Sequence, residues 1–468
     1  MTALRISDPD AGHSAPRTMA ELSTLAPPAP LLSTRKIVHM SMLSFAFLLP
    51  YLTWQQAAGC ALLALVFNVV ILPRMEVDLR KGTGREGVWT GIVVYPVSVL
   101  ALILLYRHDL YIVATAWAIM ALGDGMASVV GRALRGPALP WNAEKTWSGF
   151  AGFIAAGTLG AYVLLRWTAA AMLPGFAWRL AAAAALVGAL VESLPIRLDD
   201  NASVPLVVGA FVFCMGFVER SAWDSNLPYL GRRVLLAVVV NLTLAALALA
   251  LKMVTPSGAV CGFLLGVAVY MGYGYKSFLM MFGFFVLGSM ATRFGYARKA
   301  ARGVAEKRGG ARNYRQALAN SLAGAFFSIL VIATHREAAF LMALIAAFAE
   351  AAGDTVASEI GQWASNRAYM VTTFKPVRAG EDGGVSLAGS LAGLAASALI
   401  VALGWRLGIC GRAGATIALS AAAAGNLFDS LLGATLQRRG LLTNNTVNFA
   451  GTSFAGGLAL GIALHVGF

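Results

Sequence analysis

From about residue 37 to its C-terminus the chain is a succession of apolar runs of roughly 17 to 22 residues, the length a helix needs to cross about 30 Å of hydrocarbon. About 15 such runs can be drawn, and in lipid a backbone with no water to bond must close its own hydrogen bonds, so each run is expected to be a helix. With 58% hydrophobic and 12% charged residues, the composition excludes a soluble multidomain protein. The first 34 residues, with Pro9, Pro16, Pro27, Pro28 and Pro30, are expected to be a disordered cytoplasmic tail, and no cleavable signal peptide is evident.

The formal charge of +14 does not point to nucleic acid, because the 36 Lys and Arg residues gather in alternate loops. With the N-terminus in the cytoplasm, about 26 of the 36 fall on the cytoplasmic side, the bias expected of inner-facing loops. The densest segment, 293–315, lies on that side, while Arg232 and Arg233 fall against the trend. Cys60, Cys214, Cys261 and Cys410 are scattered through apolar segments, a spacing that points to neither a disulfide framework nor a zinc site.

The chain repeats itself. GDGMASVVGR at 123–132 matches GDTVASEIGQ at 353–362, pairing Asp124 with Asp354, Ser128 with Ser358 and Gly131 with Gly361 at one offset of 230 residues. Arg85 and Arg315 share that offset, as do Lys145 and Lys375. Further on, gaps are needed: EKTWSGFAGFIAAG (144–157) resembles GGVSLAGSLAG (383–393), Glu192 parallels Asp429, and LDDNASVP (198–205) parallels TNNTVN (443–448). Seven spans before residue 220 would invert a second copy, and one extra helix at about 233–251 restores its direction. The expected fold class is therefore an all-α polytopic membrane protein, two parallel tandem repeats joined by one linker helix. The units are residues 35–220 and 256–468, with 221–255 between them.

An ionisable residue in an apolar span is costly and so a functional candidate by default; Asp124, Glu192, Asp354 and Asp429 qualify. On a helix Asp124, Ser128 and Gly131 share one stripe, as do Asp354, Ser358 and Gly361, while Glu359 points about 100° away from Ser358. Each half thus supplies carboxylates, a lysine, an arginine and asparagines near one face. Carboxylates and amides suit Mg²⁺, Lys and Arg neutralise phosphate, and an aspartate can take a proton from an attacking hydroxyl. The plainer readings are an Asp paired for packing, loop lysines serving topology, helix-packing glycines at Gly389 and Gly393, and a basic loop in which only Arg312, Asn313 and Arg315 adjoin a helix. No GxxxxGK[ST] or HExxH motif is present.

Through RKIVH (35–39), GDGMASVVGR, EKTWSG and ESLPIRLDDNASVP, the first half resembles the CTP-dependent membrane kinases of polyprenols, the phytol and dolichol kinases. The second half, through PSGAV (256–260), GGARNYRQALAN (309–320), GDTVASEIG, GGVSLAGSLAG, GNLFDSLLGA (425–434) and NNTVN, resembles the phytyl-phosphate kinase family. The resemblance covers nearly all the chain beyond residue 34. It implies phosphorylation of an isoprenoid alcohol to a prenyl phosphate and then to the diphosphate, with Mg²⁺ and CTP, in a multi-pass protein of the inner membrane whose sites face the cytoplasm. It calls for no nucleic acid and no obligate protein partner. It further implies a first site of Arg35, Lys36, His39, Asp124, Lys145, Glu192, Asp200 and Asn201. The second would hold Asn313, Asp354, Glu359, Lys375, Asp429, Asn444 and Asn445. Arg85, Ser128, Arg312, Arg315 and Ser358 join these as candidate substrate or nucleotide ligands, and the acids as metal ligands. The second half has no evident counterpart of RKIVH. Two rivals are a CDP-lipid synthase, whose KRxxxxKD and IPGHGGxxDR segments are absent, and a transporter, whose binding groups would sit nearer the bilayer midplane.

Overall fold

The computed structural model describes residues 34–74 and 85–468, with the side chains of residues 34, 35, 85–90 and 307 outside that description, as are the proline-rich residues 1–33. The chain is an all-α polytopic membrane protein. Among the described residues, 12 helices are long and apolar enough to cross a membrane, and three shorter apolar helices, Lys36–Tyr51, Gly91–Leu105 and Asp200–Met215, fill the remaining runs read from the sequence.

The first half comprises α1 (Thr34–Ser41), extended by a 3₁₀ run to Tyr51, α2 (Trp54–Val66), α3 (Arg85–Leu105), α4 (Leu110–Ala118), a π-helical turn (Ile119–Asp124), α5 (Gly125–Leu134), the hairpin β1 (Ala138–Leu139) and β2 (Asn142–Thr146), α6 (Trp147–Thr168), α7 (Pro174–Glu192) and α8 (Asp200–Met215). The long helix α9 (Arg220–Ala250) follows. The second half comprises α10 (Pro256–Tyr273), α11 (Tyr275–Arg293), the short α12 (Tyr296–Ala301), α13 (Tyr314–Ala333), α14 (Glu337–Ala364), the strands β3 (Arg367–Met370), β4 (Pro376–Arg378) and β5 (Gly384–Val385), α15 (Leu387–Arg406), α16 (Arg412–Leu432) and α17 (Asn444–His465).

Local chemistry sets the helix ends. Thr146 and Ser386 cap α6 and α15, each hydroxyl accepting the amide three residues on, Gly149 or Gly389, at 3.1 Å. Thr443 closes a capping box with Thr446 at the start of α17. The spans Leu110–Leu134 and Glu337–Ala364 are the most enclosed of the set, and each forms the centre of its half.

The repeat recurs as matching packing. A Cβ on Gly131 would lie 3.1 Å from Thr146 Oγ1 and 3.5 Å from Gly149 Cα; one on Gly361 would lie 2.9 Å from Ser386 Oγ and 3.6 Å from Gly389 Cα. Small residues let these helices approach at backbone distance. The same contacts correct one register. Gly131 and Gly361 are 230 apart, but Thr146 and Ser386, like Gly149 and Gly389, are 240 apart. Ten further residues enter with the three-stranded sheet of the second half, so Lys145 is matched in space by Val385 and not by Lys375.

The halves run parallel. At one end Arg197 N donates to Leu441 O at 3.2 Å, joining the loops that follow α7 and α16. At the other, Glu219 N donates to Ala333 O at 2.9 Å and Val218 bridges Thr334, joining the exits of α8 and α13. Corresponding ends therefore meet corresponding ends, and both acidic clusters lie at the same end of the bundle.

Close glycine packing should be sensitive to volume. Gly393→Leu places a Cβ 2.7 Å from Gly353 O and 2.8 Å from Ala357 Cβ, an overpacking expected to destabilise by about 1–3 kcal/mol. Gly457→Leu, where a Cβ meets nothing within 4 Å, should leave the thermal midpoint in detergent near that of the parent.

Candidate functional site

In the first half, three carboxylates arrive from three elements: Asp124 closes the π-helical turn, Glu192 ends α7 and Asp200 begins α8. One carboxylate oxygen from each lies within 4.8 Å of the other two, the only such acidic group found among the described residues. A π-turn is a rare distortion that often marks functional positions; α14, its counterpart, runs as unbroken α-helix past Asp354. Lys145 extends from β2 over the acids, hydrogen bonding to Glu192 and standing 3.5 Å from Asp200. The hairpin that carries it is tied to the end of α7, where Trp141 and Asn142 both donate to Ser193, at 3.1 Å each. Burial would lower the pKa of Lys145, but Asp200, Glu192 and Asp124 outweigh it and hold the ammonium above its ordinary value.

The segment RKIVH folds as α1 and lays His39 against the same group, Nε2 at 4.0 Å from Asp124 and 3.4 Å from Met120 O. Tyr95 packs edge-on to the imidazole, with ring centroids 4.9 Å apart, and is itself held by Trp117 Nε1 at 2.5 Å. Lys36 lies within electrostatic reach of Glu192. Ser128, half-buried, follows Asp124 by one turn as its spacing required. The amide of Asn201 donates to Gly91 O at 3.4 Å, so this residue ties α8 to α3. The side chains of Arg35 and Arg85 lie outside the described residues.

The second half is built differently. Asp354 on α14 and Asp429 in the last turn of α16 come into one electrostatic neighbourhood, joined by Glu350, one turn before Asp354. Arg312 approaches Asp354 from the start of α13, its guanidinium 5.1 Å from the centre of the Phe284 ring. Burial lowers the pKa of Arg312 while Glu359, Glu306 and Asp354 counter the fall.

Several expected ligands have other partners. Glu359 pairs with the fully buried Lys299, whose ammonium also donates to Ala291 O and Thr292 O, and this pair fastens the basic loop to α14. Asn313 caps α13, its side chain accepting from Arg315 N and Gln316 N. Arg315 is exposed beside Tyr314. Ser358 is exposed and donates to Thr355 O at 3.0 Å. Lys375 is exposed in the turn before β4 and meets no acid among the described residues. Asn444 and Asn445 form the first turn of α17, where Asn444 takes the place that Asp200 holds on α8.

Glu350, Lys299 and Asn426 were missed from the sequence. The signal for Glu350 was available, an acid inside an apolar span. It escaped because the 230-residue offset sets it against Met120, so the repeat did not draw attention to it.

The family described as Integral membrane protein DUF92 matches residues 239–456, from within α9 through most of α17. An uncharacterized membrane protein of Synechocystis sp. is 34% identical over 231 residues, 48% of this chain and 90% of that protein. Protein VTE6, chloroplastic, of Arabidopsis thaliana is 36% identical over 211 residues, 44% of this chain and 63% of its own length. Probable phytol kinase 3, chloroplastic, of Glycine max is 32% identical over 203 residues, 38% of this chain and 62% of its own. No solved structure matches. With the many-helix architecture and nine-tenths of the cyanobacterial protein covered, the chain belongs to the integral membrane protein family DUF92.

Proposed function

We propose that the chain is a bifunctional membrane kinase: residues 35–220 phosphorylate an isoprenoid alcohol to its monophosphate, residues 256–468 phosphorylate that monophosphate to the diphosphate, and 221–255 connect them. The observation that carries the reading is the convergence of Asp124, Glu192 and Asp200 within 4.8 Å, with Lys145 across them and His39 at Asp124. Likeness to relatives named as a probable phytol kinase and as Protein VTE6 supports it. The donor is a nucleoside triphosphate, CTP on the first half's resemblance, and the sites face the cytoplasm on the charge bias of the loops.

The first acid group fits Mg²⁺, since its donors are hard oxygens on three elements. Bound there, the ion would neutralise the transferring phosphate and orient it. In the alcohol step the hydroxyl oxygen attacks the γ-phosphorus, the bond to the β-phosphate oxygen breaks, and nucleoside diphosphate leaves. Asp124 Oδ2 takes the hydroxyl proton beside His39 Nε2. Lys145 swings from Glu192 to the phosphates.

The second step needs no base, because a monophosphate with a second pKa near 6 presents an ionised oxygen at neutral pH. What it needs is relief of repulsion between two anions, which Arg312 supplies. This accords with the absence of an imidazole near Asp354 among the described residues: His108 and His335 lie at the other end of the bundle, and His465 closes α17.

Product analysis on detergent-purified protein with several prenols and γ-labelled nucleotides tests the reading. Asp124→Asn should lose alcohol phosphorylation by about 100-fold or more and still convert monophosphate; Asp354→Asn should stop at monophosphate. Label in pyrophosphate with none in lipid would identify a cytidylyltransferase instead, and vesicle uptake without turnover a transporter.

The asymmetry of the halves makes a second expectation. Lys145→Met and His39→Ala should each depress the alcohol step by about tenfold or more, whereas Lys375→Met should leave both steps within about twofold of the parent. Loss of the phosphate step in Lys375→Met as large as the loss of the alcohol step in Lys145→Met would overturn the exclusion of Lys375 from the second site.

A further inference from the structure

Six buried side-chain oxygens lack a hydrogen-bond partner among the described residues, and four of them belong to the second half: Glu350 Oε1 and Oε2, Asn426 Oδ1 and Asp429 Oδ2. Glu350 is 1% exposed. The two carboxylates converge on bare glycine backbone, and Asn426, one turn before Asp429 on α16, has its Nδ2 2.5 Å from where a Cβ on Gly353 would lie. A Cβ on Gly451 would lie 3.3 Å from Asp429 Oδ2 and nearer still to Glu350 Oε1, and one on Gly425 would lie 2.8 Å from Glu350 Cγ. Both carboxylates thus face the same stretch of α17.

All four orphaned atoms are acceptors. An unsatisfied buried acceptor is costly, and an unpaired buried charge far more so. The charged groups that act on Glu350 are Asp429 and Asp354, and the one that acts on Asp429 is Asp354, so among the described residues no cationic side chain meets either acid. Protonating one carboxyl would add a single donor to four acceptors. One cation with several oxygen ligands would satisfy the whole group.

We propose that Glu350, Asp429 and Asn426 hold a divalent cation of the Mg²⁺ or Mn²⁺ class, one helical turn deeper in the bundle than Asp354. The second half then completes its metal set from α14 and α16, where the first half uses Asp200 on α8. The binding claim stands on the orphaned oxygens; its place in phosphoryl transfer rests on the kinase reading of the second half.

Mn²⁺ titration of metal-stripped, detergent-purified protein, followed by the electron paramagnetic resonance signal of the free ion, tests this without any turnover. The parent should bind two classes of Mn²⁺. Glu350→Gln should weaken one class at least tenfold and keep the class that Glu192→Gln removes, which also reports that the variant is folded. Asn426→Ala should weaken the Glu350-dependent class and serves as the deciding variant if Glu350→Gln does not fold. Mn²⁺ binding unchanged in the folded variant, or a parent with only the Glu192-dependent ion, would overturn the site. A Glu350-dependent ion in a protein that makes no prenyl diphosphate would uphold the site and remove the phosphate-kinase reading instead.

Discussion

Lys145 reaches from a two-stranded hairpin across the ends of two helices to Glu192 and Asp200, and much of the first half is arranged to make that contact possible. Three carboxylates in a lipid-embedded bundle repel one another and lose hydration. The lysine offsets both, provided the hairpin is held in place. Ser193 holds it, Thr146 turns it into α6, and the bare faces of Gly131 and Gly149 let α5 and α6 close beneath it.

The second half keeps the frame and changes the charges. Gly361, Ser386 and Gly389 repeat the packing of Gly131, Thr146 and Gly149 almost atom for atom, but Val385 stands in place of the lysine. Asn444 replaces the third acid, and Glu350 adds a carboxylate deeper in the span. The inserted sheet docks where Gly383 meets Ala434 at the end of α16, with Arg438 3.7 Å from Glu381. On the proposed reading, these two charge arrangements on a common scaffold would serve two acceptors of different charge, an uncharged hydroxyl and an ionised phosphate.

The two sets share one end of the molecule because the halves are parallel, and the loops that follow the acid-bearing helices touch through Arg197 and Leu441. On the proposed kinase reading, a lipid leaving one set would stay beside the other without crossing the bilayer.

The succession of apolar runs, the repeat and the acids at Asp124, Glu192, Asp354 and Asp429 were legible in the residues alone. Lipid forces each long apolar run into a helix, and charge is too costly there to be incidental. The residues alone could not say which polar groups satisfy one another. Glu359 and Asn313 have the right composition for a ligand set and are committed to Lys299 and to a helix cap. Lys375 keeps the offset of Lys145 and lies in a different turn. Those partnerships depend on which helix ends meet, and a ten-residue insertion changes the meeting without disturbing the pattern of apolar spans. Only the tertiary structure, by placing Glu350 against Asp429 and leaving both Glu350 oxygens and Asp429 Oδ2 without donors among the described residues, set the second cluster apart from the first.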